Sequence, residues 1–137
     1  MKTFFDTSSF SKRYIEENGS KKVEQACLNA TNVGLSIFCA TEFVSALTRR
    51  LREKSISVID HKIAKDAFYN DISDIDMVEI NNSVIFTSIE CIQNYPLKTL
   101  DALQIACAIE WKCDIFISSD KQQIKAAKQY GLNTLLV

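Results

Sequence analysis

The stretch KTFFDTSSF, at residues 2–10, opens with an apolar run that ends in one acid and continues into small hydroxyl residues. This pattern predicts a buried strand whose carboxyl end presents Asp6. The stretch DIFISSD, at residues 114–120, repeats the pattern near the other end of the chain and closes on Asp120. Because ligands bind at the carboxyl ends of strands in open α/β sheets, Asp6 and Asp120 are candidate site residues.

Short strand-like segments alternate with helical ones along the whole chain. Further strands are predicted at residues 33–36, 77–80 and 132–137. Helices are predicted from Ser8 or Ser9, as the cap, to about residue 17, from residue 20 to residue 30, and over 40–54, 59–68, 82–94, 99–112 and 120–130. In the helix over 59–68, the predicted apolar face consists of Ile59, Ile63, Ala67 and Phe68. Such alternation predicts a parallel sheet covered by helices on both faces. A length of 137 residues favours one domain, residues 1–137.

Composition limits the kinds of function that the chain can have. Hydrophobic residues make up 47% of the chain and the net charge is −1, so we expect a packed core and no global attraction for nucleic acid. Five cysteines without a Cys-x-x-Cys pair, beside one histidine, disfavour a zinc site. We expect reduced thiols in a cytoplasmic protein, without a signal peptide or a membrane span.

Two further acids stand out among the seventeen in the chain. Glu42 and Asp101 each fall in the first turn of a predicted helix, among apolar neighbours. The helix dipole alone would explain an acid in either place, and spacing leaves open which rim of the sheet Asp101 lies near. Asp114 starts the strand that ends before Asp120, so the two lie roughly 20 Å apart on opposite rims. We therefore assign no role to Asp114.

Convergence of Asp6, Glu42, Asp101 and Asp120 would constrain the chemistry of the site. Carboxylates that lie within a few ångströms of one another cannot all stay ionised without cations. Oxygen ligands suit Mg²⁺ or Mn²⁺, which can polarise a phosphate and activate a water. The pattern therefore favours phosphodiester hydrolysis without a protein nucleophile. His61 lies in a polar segment that we expect to be exposed, so no His-based catalytic set is predicted.

Four short motifs in order resemble those of PIN domains. They are DTS at residues 6–8, TEFVSAL at 41–47, LDALQIA at 100–106 and ISSD at 117–120. The stretch KRYIEENGS, at residues 12–20, is similar to bacterial and archaeal PIN toxins of the VapC type. The resemblance covers essentially the whole chain, with two departures. Gln122, Gln123 and Ile124 stand where some family members carry a further acid, and Ser118 stands where threonine is frequent.

The resemblance implies a fold, an activity and partners. The fold would be an α/β/α sandwich with a parallel sheet of four or five strands in the order 3-2-1-4-5, which places Asp6 beside Asp120. The activity would be Mg²⁺- or Mn²⁺-dependent cleavage of RNA, with Asp6 and Asp101 as the main metal ligands and Glu42 and Asp120 completing the set. Ser8 and Ser118 match small polar positions that orient these acids. The partners would be a second copy in a homodimer and a small antitoxin that places a helix and an arginine in the site.

RNA binding requires positive charge near the acids, because contacts to phosphates dominate affinity. Lys12 follows Asp6 by six residues and Arg49 shares a helix face with Glu42, so both are candidate substrate-binding residues. We interpret Arg13 and Lys121 as solvated surface charges.

Alternative functions remain open at this point. A phosphatase would use Asp6 as its nucleophile, but it needs a second acid where Ser8 stands. A receiver-type signalling domain needs an acid after the third strand, where Asn81 and Asn82 stand instead. A catalytically silent PIN-like module, kept for protein contacts, is the remaining alternative.

Overall fold

All five strands expected from the sequence are present in the computed structural model, which describes residues 1–137. They are β1 (Lys2–Phe5), β2 (Asn32–Ser36), β3 (Asp76–Val78), β4 (Ile115–Ser118) and β5 (Thr134–Leu136). The strands pair in parallel throughout, in the order β3-β2-β1-β4-β5. This confirms the predicted α/β fold and the strand order implied by the resemblance to PIN domains.

Seven α-helices connect these strands. They are α1 (Thr7–Phe10), α2 (Ser20–Asn29), α3 (Cys39–Arg52), α4 (Val58–Asp71), α5 (Asn82–Asn94), α6 (Thr99–Glu110) and α7 (Lys121–Gln129). The bounds of α5 are those predicted, and the bounds of α3, α6 and α7 differ from the prediction by at most two residues. None of the helices combines the length and the apolar character that crossing a membrane requires.

The prediction for the first helix was wrong in its cap and in its length. Asp6 is the N-cap of α1, because its side chain accepts a hydrogen bond from the backbone N–H of Ser9. The helix ends at Phe10 and continues only as a 3₁₀ turn over Ser11–Arg13. Aspartate is as good a cap as serine, and here it comes first along the chain. The acid predicted to be a site residue therefore also starts the helix.

Two hydrophobic cores lie on opposite faces of the sheet, because successive side chains of a strand point to opposite sides. Phe4 of β1 and Phe116 of β4 stack with ring centroids 6.0 Å apart in the core that α5, α6 and α7 cover. Phe5 and Ile117 face the other core, which α1, α2, α3 and α4 cover. The molecule is therefore a three-layer α/β/α sandwich.

Aromatic side chains hold α1, α3 and α4 together in the second core. The rings of Phe43 and Phe68 stack with centroids 4.6 Å apart, and Phe10 packs edge-on against Phe68. Tyr14 packs on Phe43 and donates a hydrogen bond from its hydroxyl to Asp71 Oδ2 at 2.8 Å. Since Phe43 directly follows Glu42, this cluster also holds in place the first turn of the helix that carries Glu42.

The apolar face predicted for α4 is only partly buried. Ala64 and Phe68 face the core, whereas Ile59 and Ile63 are 71% and 61% exposed. At about 100° of rotation per residue, Ile59 and Ile63 lie roughly 140–180° around the helix from Phe68, on the side that faces away from the second core. The prediction that these two isoleucines pack inward was wrong.

Gly34 of β2 lets the indole of Trp111 lie directly against the sheet. A Cβ atom at Gly34 would lie 2.7 Å from Trp111 Cζ3. We expect Gly34→Ala to lower the free energy of unfolding by about 1–3 kcal/mol, because a rigid ring must move. Urea unfolding measures the loss. The double variant Gly34→Ala/Trp111→Leu should lose less than the sum of the two single variants. Additive losses would show that the indole is not the obstacle.

Candidate active site

All four acids predicted to form the site line one cleft, which has a volume of about 620 Å³ and no apolar lining residue. Asp6 follows β1 and Asp120 follows β4, while Glu42 and Asp101 lie in the first turns of α3 and α6. The sequence left open which rim of the sheet Asp101 lies near. Because α6 leads into a parallel strand, it must run back across the sheet, and so it begins at the carboxyl edge. The topology therefore brings all four acids to that edge.

The position of Asp114 provides a contrast. Its carboxylate accepts a hydrogen bond from the backbone N–H of Lys2 at 2.7 Å, where β1 begins. Asp114 therefore lies at the amino edge of the sheet, away from the cleft, and stabilises the start of a strand. This agrees with the sequence analysis, which assigned it no role.

Asp6 is the most buried of the four acids, with 4% of its surface exposed. Its Oδ1 accepts from the Ser9 backbone N–H at 2.9 Å, and its Oδ2 accepts from the hydroxyls of Ser8 at 2.9 Å and Ser118 at 2.7 Å. Burial raises the pKa of Asp6 above its usual value, and these hydrogen bonds only partly oppose that rise. The ionised form of Asp6 is therefore held in place by donors but lacks a compensating positive charge.

Asp101 shows that the acids interact electrostatically. Burial is the largest cause that raises the pKa of Asp101, and the negative charges of Asp120, Asp6 and Glu42 raise it further. The ionised form of Asp101 is therefore disfavoured by its negative surroundings, and a cation bound in the cleft would relieve that cost.

The arrangement suits an ion that retains much of its water. No three Asp, Glu, His or Cys side chains lie close enough together to form a closed metal cage. Mg²⁺ does not need such a cage, since it is usually bound through one or two carboxylates and keeps several waters. The cleft is lined by polar side chains and is about 620 Å³ in volume, so a hydrated ion fits it. The donor set therefore fits Mg²⁺ or Mn²⁺ in an open site.

Gln123 links two of the acids and was missed by the sequence analysis. Its Nε2 donates to the backbone carbonyl of Asp101 at 3.1 Å, and its Oε1 lies 3.0 Å from the Ser118 hydroxyl. That hydroxyl also contacts Asp6 and accepts from the backbone N–H of Asp120. Gln123 is 1% exposed. The available signal was spacing, because Gln123 precedes Ala127, a buried residue of α7, by four residues and so lies on the same helical face.

Gln104 and Thr7 hold Glu42 and were also not predicted as site residues. Thr7 Oγ1 donates to Glu42 Oε1 at 2.6 Å. Gln104 Nε2 donates to Thr7 Oγ1 at 2.9 Å and to Glu42 Oε1 at 3.0 Å. The available signal was spacing, because Gln104 follows Asp101 by three residues and so lies on the same helical face.

Of the basic residues considered for RNA binding, Lys121 lines the cleft, whereas Lys12 and Arg49 do not. Lys121, which the sequence favoured as a solvated surface charge, is exposed but lines the cleft. Lys12 donates from Nζ to the Val137 carbonyl at 3.0 Å, and Arg49 is exposed on α3. Neither Lys12 nor Arg49 lines the cleft.

Other potential nucleophiles and bases do not serve the cleft. His61 lies on α4 and does not line the cleft. The sequence suggested that His61 is exposed, but the residue is half-buried. Its Nε2 has no hydrogen-bond partner. Cys39 is close to Thr7, but burial raises the pKa of its thiol to about 12. A neutral thiol is a poor nucleophile.

Comparisons with known proteins bear on the family and the fold of the chain. The model of the PIN domain family matches residues 3–129. A comparison with curated proteins found no match.

Three solved structures show the same fold at low sequence identity. A toxin–antitoxin complex from Klebsiella pneumoniae is 15% identical, with 89% of each chain covered and a TM-score of 0.68. VapC20 of Mycobacterium tuberculosis, described as a sarcin–ricin loop cleaving toxin, is 15% identical, with 90% of this chain and 94% of that chain covered and a TM-score of 0.70. VapBC2 of Rickettsia felis, bound to a promoter DNA fragment, is 13% identical, with 100% of this chain and 99% of that chain covered and a TM-score of 0.70. Since the family model matches nearly the whole chain, from residue 3 to residue 129, the chain belongs to the PIN domain family.

Proposed function

We propose that this chain is a Mg²⁺- or Mn²⁺-dependent endoribonuclease, a hydrolase of RNA phosphodiester bonds, and the toxin of a toxin–antitoxin pair. The observation that carries the proposal is the convergence of Asp6, Glu42, Asp101 and Asp120 from four separate elements in one polar cleft. Such a cleft offers oxygen ligands and no activated Ser, Cys or His. The residues thus suit hydrolysis by water, in a single domain that spans residues 1–137.

Each acid has a role that follows from its surroundings. Asp6 and Asp101 would hold the ion, because burial raises the pKa of both carboxyl groups and neighbouring negative charges raise the pKa of Asp101 further. Glu42 and Asp120 would complete the set of metal ligands. Ser8 and Ser118 hold Asp6 Oδ2 in a fixed orientation. A bound divalent ion supplies a polarised phosphate oxygen and a water of lowered pKa.

The RNA is held by cations at and around the cleft. Lys121 lies at the cleft wall, where it can neutralise a phosphate beside the reacting one. We assign Lys12 and Arg49 to phosphates farther along the strand, because neither lines the cleft.

Exposed apolar residues support the two protein partners in the proposal. Val58, Ile59 and Ile63 are exposed together on α4, and Ile85, Phe86, Ile89 and Ile92 are exposed on α5. Clustered apolar residues on a surface mark contacts with other proteins. We assign one surface to the antitoxin and the other to a second copy of the chain. The toxin would act in the cytoplasm, where RNA and antitoxin are available.

A catalytically silent PIN-like module would share this fold and these surfaces. It would have no use for an ion, and so the cost of burying Asp6 would bring it no benefit. A phosphatase is less suited still, because both oxygens of Asp6 already accept hydrogen bonds and Ser8 replaces the second acid.

We expect Asp6→Asn to abolish cleavage of a defined single-stranded RNA pool while the protein stays folded. An amide cannot balance a divalent ion, although asparagine remains a good helix cap. The assay compares both proteins with Mg²⁺, with Mn²⁺ and with chelator. His61→Gln is the matched control and should cut normally. Turnover by Asp6→Asn at the wild-type rate would contradict the proposed mechanism.

Lys121→Gln should weaken RNA binding more than Lys12→Gln or Arg49→Gln does, because Lys121 alone of the three lines the cleft. Each lost phosphate contact should also reduce the slope of log K against log salt by about 0.7 for single-stranded RNA. Fluorescence anisotropy across a salt series, in the Asp6→Asn background, measures both effects. Equal RNA affinities for all three variants would refute the assignment of Lys121 to a phosphate at the cleft.

Without a cation, the wild-type protein should lose stability as the pH rises through the pKa of Asp6 in the folded state. Burial raises that pKa above the unfolded value, so the native state binds more protons in this window and stability falls with pH. Asp6→Asn should reduce this dependence, leaving the part that is due to the raised pKa of Asp101, and should be more stable than wild type in chelator at about pH 8. Urea unfolding at several pH values measures the free energy of unfolding of both proteins, with Asp114→Asn as the control. If Asp6→Asn were less stable than wild type under these conditions, the hydrogen bonds of Asp6 would outweigh its burial in their effect on the free energy of unfolding.

A further inference from the structure

We infer that Gln104 is a positioning residue, which holds Glu42 so that only one of its carboxylate oxygens is free to meet a bound divalent ion. This inference rests on the proposed function, because it concerns the same cleft. The side chain of Gln104 is neutral, so it would orient Glu42 without changing the charge of the site.

The contacts of Glu42 are concentrated on one oxygen. Its Oε1 accepts from the Thr7 hydroxyl at 2.6 Å and from Gln104 Nε2 at 3.0 Å. A carboxylate oxygen has two lone-pair positions, so these two donors saturate Oε1. Oε2 is left for an ion or for its water. Glu42 therefore presents one oxygen rather than both.

The direction of each hydrogen bond follows from the chemistry of the groups. An ionised carboxylate only accepts, so Thr7 uses its single hydrogen for Glu42, and the Thr7 oxygen accepts from the Gln104 amide at 2.9 Å. Gln104 must therefore turn its NH₂ group toward both partners. Three elements are joined in this way, since Thr7 begins α1, Glu42 lies in α3 and Gln104 lies in α6.

The opposite end of the amide shows a cost for this orientation. Gln104 is 3% exposed, and its Oε1 is buried without a hydrogen-bond partner. A buried acceptor without a donor destabilises a fold. Gln104 thus keeps its hydrogen bond to Glu42 although its own Oε1 stays without a donor. Such a cost is expected of a residue whose role is to position another side chain.

Gln104 also adds a donor without adding charge. A lysine or arginine in its place would compete with the ion for the carboxylates, and an acid would repel Glu42. Outer partners that orient metal ligands typically affect metal affinity or activity by about 10–100-fold. Gln104 fits this description for Glu42.

The test compares Mn²⁺ binding by wild type and by Gln104→Met, which keeps the length of the side chain and removes the donor. Calorimetry should show a Kd for Mn²⁺ that is about 10-fold weaker or more in the variant. Cleavage at limiting Mn²⁺ should fall and recover as Mn²⁺ is raised, while KM for RNA at saturating Mn²⁺ stays unchanged. Unfolding in chelator should show no loss of stability. Gln129→Met, an exposed change at the end of α7, is the control and should match wild type.

The outcomes separate this inference from the proposed function. Wild type that binds no Mn²⁺ would overturn both. Wild type that binds Mn²⁺, beside a Gln104→Met protein of equal affinity, would overturn the positioning role alone. A loss of affinity that merely follows a loss of stability would also overturn it. If Gln104→Met does not fold, Gln104→Asn decides, because it keeps a neutral amide that is one methylene too short to reach Glu42: equal Mn²⁺ affinity refutes the role, and a weaker affinity supports it.

Discussion

The burial of one carboxylate, that of Asp6, is the constraint on which the rest of the site depends. Asp6 caps α1, and its backbone N–H donates to the Ile117 carbonyl, which extends the pairing of β1 with β4 by one residue. Its carboxylate is thereby fixed at the carboxyl edge of the central strand. Leaving it ionised there is unfavourable, as its raised pKa shows. A cation is the simplest way to relieve that cost.

Parallel topology then brings the other acids to the same edge. Helices that follow β2 and precede β4 must run back across the sheet, so α3 and α6 begin where the strands end. An acid in a first helical turn is also favoured by the helix dipole, which means that Glu42 and Asp101 suit both their helices and the cleft. The dipole and the site are therefore not competing explanations for these residues.

Neutral donors surround the acids and give the cleft its rigidity. Gln123 joins Asp101 to Ser118, and Gln104 joins Glu42 to Thr7. Hydroxyl and amide donors orient carboxylates without cancelling their charge, so the negative charge of the cleft is preserved. Two aromatic-rich cores on either side of the sheet keep the elements that carry these donors in place.

Much of this organisation was determined by the sequence alone. Apolar runs and helical periodicity placed the five strands and most helices, because these signals are local. Acids at strand ends indicated Asp6 and Asp120, and the resemblance to PIN domains added Glu42 and Asp101 to the cleft that all four line. Local signals misjudged the first helix, where Asp6 rather than a serine is the cap, and the outward face of α4. Only the tertiary structure decided that Thr7, Gln104 and Gln123 also hold the acids. Thr7 meets Glu42 across 35 residues and Gln104 meets it across 62, and contacts over such separations are set by how the helices pack on the sheet.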